Sequence, residues 1–390
     1  MSLFNNLKVA FSDKSNKDLN RAYFLFSIIR NPIISKILIN LTRIFIFLKL
    51  PITPLIKMTI YKHFCGGTSI NNSKSVIDKL WESKIGSILD FSAEGKEQEK
   101  DYIIVMKQTI EAIEKAKQSD SIPFAVFKPT GLIKFNILKK LHSKEVINKQ
   151  EKKEYNLFIK RVEKICRKAK EFKVPVLVDA EESWIQDPID EILLNMMRKY
   201  NLKNAWVFNT LQMYRIDRLD YLNKIINIAK EESFILGIKL VRGAYHEKEI
   251  IRAIKKKYII PVFENKDNTD NNYNEALKIC CNNINLINLC AGTHNEISNE
   301  ILIKYIEQSN IMKNDKRIYL SQLYGMSDNI SYNAAINGFN VTKYVPYGPV
   351  KDVIPYLLRR AEENTSISGQ MGRELANIIK EKSRRKGEAN

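Results

Sequence analysis

Residues 343–364 read KYVPYGPVKDVIPYLLRRAEEN. They form the end of a strand over Val341 to Pro346, with Tyr344 as its polar residue, and a following helix that carries Tyr356, Arg359, Arg360 and Glu363. Positions 356, 359, 360 and 363 follow the i, i+3, i+4, i+7 spacing, so the four side chains leave one face of the helix. This strand-then-helix unit is the last of eight. From Gly86 onward, short β-branched runs alternate with longer charged segments of helical period, the pattern of βαβ units and a parallel sheet. The strands expected are Ile88 to Phe91, Phe124 to Phe127, Pro175 to Ala180, Ala205 to Thr210, Gly237 to Arg242, Ile287 to Gly292, Ile318 to Leu323 and Val341 to Pro346. Eight units filling most of a 390-residue chain predict an α/β protein built on a closed (β/α)8 TIM barrel and not an open doubly wound sheet. No GxGxxG or GxxxxGKS/T motif follows any strand, which points the same way.

A barrel places its active site at the C-terminal ends of its strands, so polar residues should interrupt each apolar run there. They do, in order: Ser92 and Glu94, Lys128, Asp179 with Glu181 and Glu182, Asn209 with Gln212, Lys239 with Arg242 and Tyr245, His294 with Asn295, Gln322 with Tyr324, and Tyr344. Any one of these is also an ordinary loop residue or helix cap. Lys128 follows the strand FAVF and precedes Pro-Thr-Gly, a rigid turn that sets its amine over the mouth as a charge partner, a base or a Schiff-base former. Asp179 ends the run VPVLV, where a carboxylate is costly to bury unless paired. Adjacent second and third strands make Lys128 its expected partner. In the fifth strand, GIKLVRGAY, period-two alternation sends Lys239 and Arg242 to opposite faces, so only one points inward. Gly243 then permits close backbone approach of a ligand, with Tyr245 as its cover. His294 within AGTHNE suits a phosphate or ribose contact, or a purely structural role. On the last helix, the guanidinium groups of Arg359 and Arg360 form a fork for the two oxygens of a carboxylate, with Glu363 one turn on to hold it. The same spacing also describes an exposed helix face with ion pairs worth about 0.3–0.5 kcal/mol each.

At 44% hydrophobic, with 14 Gly and 11 Pro, the chain is an ordered, core-forming protein, not a disordered or fibrous one. Its formal net charge of +19 raises the question of an anionic partner such as nucleic acid or a phospholipid surface. The lysines are spread through an Ile- and Asn-rich sequence, with no basic stretch interleaved with stacking aromatics, so no nucleic-acid partner is expected. Five Cys, at 65, 166, 280, 281 and 290, show no CxxC or Cys/His spacing, and four His form no HExxH pair. No metal site is expected, and a reducing cytoplasm suits this Cys usage. Charged and polar residues at positions 5–20 are unlike a signal peptide. The most apolar stretch, Ile33 to Met58, is interrupted by Lys36, Arg43, Lys49, Pro51 and Pro54 and makes a poor membrane span. It reads either as amphipathic helices packed on the catalytic domain or as a helix lying on a membrane surface. The expected division is an N-terminal helical region (1–80), the barrel (81–380) and a basic polar tail (381–390).

The blocks LDFSAEG, KPTGL, VDAEESW, NTLQMYR, KLVRGAY, PVFENKDNTDNNYNEAL, THNE, LYGMSDN and YVPYGPVKDVIPYLLRRAEEN run in order over roughly residues 60–380. Together they resemble the monofunctional, FAD-dependent proline dehydrogenases, also called proline oxidases. The resemblance implies a distorted (β/α)8 barrel with an N-terminal helical extension, FAD at its mouth and L-proline stacked on the flavin. It implies that Arg359 and Arg360 grip the proline carboxylate, that Glu363 orients them, and that Tyr344, Tyr356 and Tyr245 enclose the ring. Lys128 and Asp179 match the polar pair beside substrate and flavin. Gln212, Lys239, Lys266, His294 and Asn295 match the cofactor contacts, with Lys239 nearest flavin N5, and Glu94 matches a carboxylate that closes a lid over the arginines. The implied reaction is hydride transfer from the proline carbon beside nitrogen to flavin N5, giving Δ1-pyrroline-5-carboxylate, the first step of proline catabolism. Electrons would pass to a quinone, which implies a cytoplasmic protein in peripheral contact with the inner face of the membrane. Many bacterial members read RLVKGAYW where this chain has KLVRGAYH, so the two basic residues are exchanged and His246 stands in place of Trp. A compact ammonium in place of a planar fork alters the contacts at the flavin edge. The residues alone leave two other functions open: a non-redox lyase or aldolase that forms a Schiff base through Lys128 or Lys239, and a basic membrane- or nucleic-acid-associated binding protein without catalysis.

Overall fold

Eight parallel strands pair in sequence order and close on themselves: β1 (Ile85–Phe91), β2 (Phe124–Phe127), β3 (Val176–Val178), β4 (Val207–Gln212), β5 (Leu236–Val241), β6 (Ile287–Gly292), β7 (Ile318–Leu323) and β8 (Val341–Tyr347). The structure, a computed structural model, describes residues 3–48, 50–92, 97–366 and 370–388, apart from the side chains of residues 32, 46, 361–366, 370 and 371. β2, β6 and β7 have the bounds read from the sequence. β8 runs one residue past the expected Pro346. β7 flanks it only as far as Tyr344, leaving β1 alone beside Pro346, so the missing proline N–H removes no ladder bond on the β7 side. β3 is shorter than expected, because pairing to β2 and to β4 stops at Val178. Asp179 is thereby released at the mouth.

The lumen is packed. Phe124 meets Phe208 and Tyr319 edge-on, with ring centroids 5.5 and 4.8 Å away, and Ile88, Val126 and Leu177 complete this apolar floor. Gly237 leaves room for it, since a Cβ there would lie 2.3 Å from the Val207 carbonyl oxygen and 2.7 Å from the Phe208 ring. Two residues further along each strand, the side chains pointing the same way are charged. Ile88 is followed by Asp90, Val126 by Lys128, Leu177 by Asp179 and Gly237 by Lys239. An apolar floor thus carries a charged layer at the C-terminal mouth.

A second core lies outside the barrel. The helices Asn16–Arg30, Val350–Ser366 and Gln370–Glu388 bury Phe26, Phe64, Val353, Leu357 and Ile378 among one another. Residues 381–388, expected as part of a polar tail, instead continue the last helix. Glu381 there is buried and pairs with Arg384 and Arg385, while Arg385 donates to the Lys14 and Phe11 carbonyl oxygens at 2.8 and 2.9 Å. The Lys14 and Phe11 carbonyls are distant in sequence, so composition alone reads as a solvated tail. The segment before β1 straps the turn after β8: the Tyr61 hydroxyl donates to the Gly348 carbonyl at 2.9 Å and the Gly66 N–H to the Pro346 carbonyl at 2.9 Å. That strap sets the start of the helix Val350–Ser366.

Gly237→Ala should destabilise the protein by about 1–3 kcal/mol, the usual range for overpacking a filled core. Denaturant unfolding checks this as a lowered midpoint with an unchanged slope.

Candidate active site

Asp179 is the meeting point of the mouth. One of its carboxylate oxygens accepts from Lys128 Nζ at 2.6 Å; the other accepts from Lys239 Nζ and from the Tyr344 hydroxyl, each at 2.6 Å. Lys128 also stands 3.3 and 3.4 Å from the two oxygens of Asp90. Lys239 Nζ lies 4.4 Å from the centre of the Tyr344 ring. Residues from β1, β5 and β8, and those just past β2 and β3, therefore build one cluster of two carboxylates, two ammonium groups and a phenol. Burial opposes the charge on Asp179, but Lys128 and then Lys239 outweigh it and hold the carboxyl well below the usual carboxylate range. Burial, with Asp179 and Asp90 behind it, drives the Tyr344 phenol far up, so it stays protonated and donates. Asp179 is consequently a poor proton acceptor and a strong positioning group.

The helix Val350–Ser366 follows directly on the end of β8. Tyr356 is buried on it, and Arg359 and Arg360 are half-buried. The Arg360 guanidinium lies 5.4 Å from the centre of the Tyr356 ring. Its charge also helps hold the His294 ring, past the end of β6, neutral. Glu363 follows on the next turn; its side chain, and the whole of Glu94, lie outside the described residues. Tyr245 closes another side. Its hydroxyl donates to Glu181 at 3.2 Å, and Glu181 also accepts from the Thr130 N–H and hydroxyl at 3.2 and 2.7 Å, binding the loops after β2, β3 and β5 together.

The remaining candidates sit on the β4 to β7 side. Gln212 receives the Ala244 N–H at 3.0 Å and donates to the Glu181 carbonyl at 2.7 Å, which fixes the turn after β5. Arg242 points away from the lumen, as alternation requires, and is bound to Asp270 at 2.5 Å, to Thr293 and to Ser298 at 2.9 Å. Lys266, at the start of the helix Lys266–Asn282, pairs with the same Asp270. Asn295 caps the helix Glu296–Gln308, its side chain accepting from Ser298 N–H at 3.2 Å, a task that by itself accounts for an Asn there. His294 places Nδ1 2.9 Å from Ser327 Oγ. Burial, then the charges of Lys343 and Arg360, push its ring down to about 3, so it is neutral.

Asp90 and the exterior anchors of Arg242 escape a reading by strand ends. Asp90 lies within β1, not at its end, and the signal that finds it is the two-residue offset from Ile88 shared with Leu177 and Asp179. Asp270, Thr293 and Ser298 carry no comparable sequence signal, since they come from later units.

Two outcomes follow from this geometry. Asp179→Ala strands two ammonium groups and should cost about 3–5 kcal/mol of stability, measured by chemical unfolding. The His294 ring should show no titration between about pH 5 and 8 in NMR spectra, whereas an ordinary histidine titrates there.

The family model described as proline dehydrogenase matches residues 73–373. The carbapenem antibiotics biosynthesis protein CarD of Pectobacterium carotovorum subsp. carotovorum is 33% identical over 322 residues, covering 83% of this chain and 83% of that protein. Mitochondrial proline dehydrogenase 1 of Dictyostelium discoideum is 30% identical over 379 residues, covering 86% of this chain and 66% of that one. Among solved structures, proline utilization A from Bdellovibrio bacteriovorus, inactivated by N-propargylglycine, aligns with a TM-score of 0.73 at 21% identity over 95% of this chain. The chain spans only 40% of that larger protein, and the likeness is one of fold. With a family match over most of its length, the chain belongs to the proline dehydrogenase family.

Proposed function

We propose that this chain oxidises L-proline to Δ1-pyrroline-5-carboxylate with FAD as its cofactor, as the first step of proline catabolism, and passes the electrons to a quinone. One observation carries the reading: in a chain of this family, paired guanidinium groups stand on the helix that leaves β8, above a neutral cluster of Asp90, Lys128, Asp179, Lys239 and Tyr344. Lys128 and Lys239 are each committed to Asp179 by a 2.6 Å ion pair, which speaks against their use as Schiff-base nucleophiles, since that chemistry needs a neutral amine.

The residues present fit a flavin dinucleotide. Arg242 and Lys266 share the single carboxylate Asp270, so two cations against one anion leave a net positive charge at a helix N-terminus, the donor set that a diphosphate requires. Gln212 and Lys239 stand on the flavin side, and His294, neutral, has room in its chemistry for a sugar hydroxyl. FAD, when bound, supplies the hydride acceptor.

The chain's own part is to bind, orient and set a protonation state. Arg359 and Arg360 take the carboxylate, and Tyr344, Tyr356 and Tyr245 wall the ring. Within the cluster two lysines balance two aspartates. A cation close to the bound amine disfavours a second positive charge, so Arg359 and Arg360 favour proline with a neutral amine over the zwitterion. That form has the nitrogen lone pair that must push out the hydride, and no side chain with a raised pKa is needed to create it.

Arg359→Met and Arg360→Met should each raise KM for proline about tenfold to a hundredfold, the worth of a charge-assisted hydrogen bond. They should also move the acidic limb of the kcat profile to higher pH, because a lost cation raises the amine pKa in the complex. Proline-dependent dye reduction measures both; an unchanged KM in both variants removes the carboxylate assignment. Purified protein that shows no flavin absorption, even after reconstitution with FAD, would remove the redox reading altogether.

A further inference from the structure

One buried hydroxyl at the mouth, Ser92 Oγ, has no hydrogen-bond partner among the described residues. Ser92 directly follows β1, and pairing does not stop with the strand, since its N–H donates to the Tyr347 carbonyl at 3.1 Å. Period-two alternation therefore carries through it, and Ile88, Asp90 and Ser92 face the lumen in three successive layers. Both sides of the alternation are visible. Ile88 packs in the lumen floor and Asp90 meets Lys128 above it, while Phe91 turns outward against Tyr347 with ring centroids 5.5 Å apart. Ser92 is only 2% exposed. A hydroxyl this deeply buried is costly to leave unmet, so a group that meets it is expected.

Its neighbours are committed elsewhere. The registers of β1 with β2 and with β8, continued to residue 92, set Ser92 beside Lys128 and beside Gly348. Lys128 is held by Asp179 and Asp90, and Gly348 brings no side chain. In the closed order of eight strands, β1 lies across the lumen from β5. Lys239 of β5, with Gln212 and His294, stands on the side assigned to the flavin, so Ser92 lies on the side left to the substrate.

We infer that Ser92 Oγ accepts the amine N–H of bound proline. The inference rests on the reading of this chain as an enzyme that oxidises proline, and supplies the partner that reading leaves open. With the carboxylate on the arginine fork and the ring walled by tyrosines, the amine is the one polar group of the substrate still unmatched. A neutral secondary amine has one N–H to donate and a lone pair that must stay free to expel the hydride. A carboxylate facing that N–H would favour the protonated amine, which has no lone pair. The carboxylates of the mouth are in any case taken: one oxygen of Asp179 by Lys128, the other by Lys239 and Tyr344, and both oxygens of Asp90 by Lys128. A serine hydroxyl is a neutral acceptor, so it orients the nitrogen without drawing a proton onto it.

The test compares the wild type with S92A, both reconstituted with FAD, on two ligands. One is L-proline, followed by dye reduction; the other is cyclopentanecarboxylate as a competitor, which keeps the carboxylate and the five-membered ring and has no N–H. In S92A, KM for proline should rise about tenfold, while the inhibition constant of cyclopentanecarboxylate stays within about twofold. Without either ligand, S92A should unfold at an unchanged or higher denaturant midpoint, because the hydroxyl it removes is satisfied by nothing in the fold. An unchanged KM for proline overturns the assignment, and so does a lowered midpoint, which would make Ser92 structural. Equal weakening of both ligands also overturns it, by giving the hydroxyl to the carboxylate. A wild type that never reduces dye with proline fails the reading of the function itself, an outcome seen before the variant is measured.

Discussion

A carboxylate at the end of an apolar strand survives burial only where cations meet it, and Asp179 is met by two. Lys128 and Lys239 reach it because the second and fifth strands set them in the same layer of the barrel, one pleat above Val126 and Gly237. That layer is level because the floor beneath it is filled by Phe124, Phe208 and Tyr319 and relieved at Gly237. The hydrogen bond from Tyr344 then draws β8 into the same cluster. Removing the carboxylate would leave the lysines repelling each other in a low-dielectric mouth, so the polar site and the closure of the barrel there are one problem in electrostatics.

The outer face of β8 repeats the solution. Lys343 points away from the lumen, is completely buried, and pairs with Asp328 at 2.8 Å; Asp328 in turn receives Lys14 at 3.3 Å from the N-terminal region. β8 is thus pinned on both sides, inward by the hydrogen bond of Tyr344 to Asp179 and outward by the ion pair of Lys343. The helix with Arg359 and Arg360 springs from its end, so the position of the fork inherits both anchors. A chain of hydrogen bonds runs close by: His294 contacts Ser327, and Ser327 donates to Glu374 on the last helix from its N–H at 2.6 Å and its hydroxyl at 3.1 Å. Burial, then Asp328, pushes Glu374 up to about 7. The mouth is in this way tied to elements that lie far from it in sequence.

Periodicity makes the barrel legible from sequence, because a parallel strand buried on both faces is a short run of apolar residues that little else resembles. The strand ends are less legible, since pairing, not composition, decides them: β3 stops at Val178 for want of partners, and β8 runs through a proline because one of its neighbours has ended. The pairing of Lys128 with Asp179 follows from strand adjacency, and the opposed directions of Lys239 and Arg242 from alternation. Asp90 is legible only as a member of a layer, through its offset from Ile88. The partners of Lys343 and Arg242 are out of reach of a sequence reading, because each ion pair joins units whose spacing along the chain carries no pattern.

The central claim is that Asp179 preorganises the mouth for proline oxidation without acting as a base. The most direct test is anaerobic single-turnover reduction of the FAD-reconstituted protein by proline, comparing wild type with Asp179→Asn, which keeps the shape of the side chain and removes its charge. The variant should still bind FAD, and its rate of flavin reduction should fall by roughly a hundredfold at every pH, the cost of a misplaced site. An unchanged rate would contradict it, and a loss present at higher pH that vanishes as pH falls would contradict the assignment of Asp179 as a positioning group by making it the base.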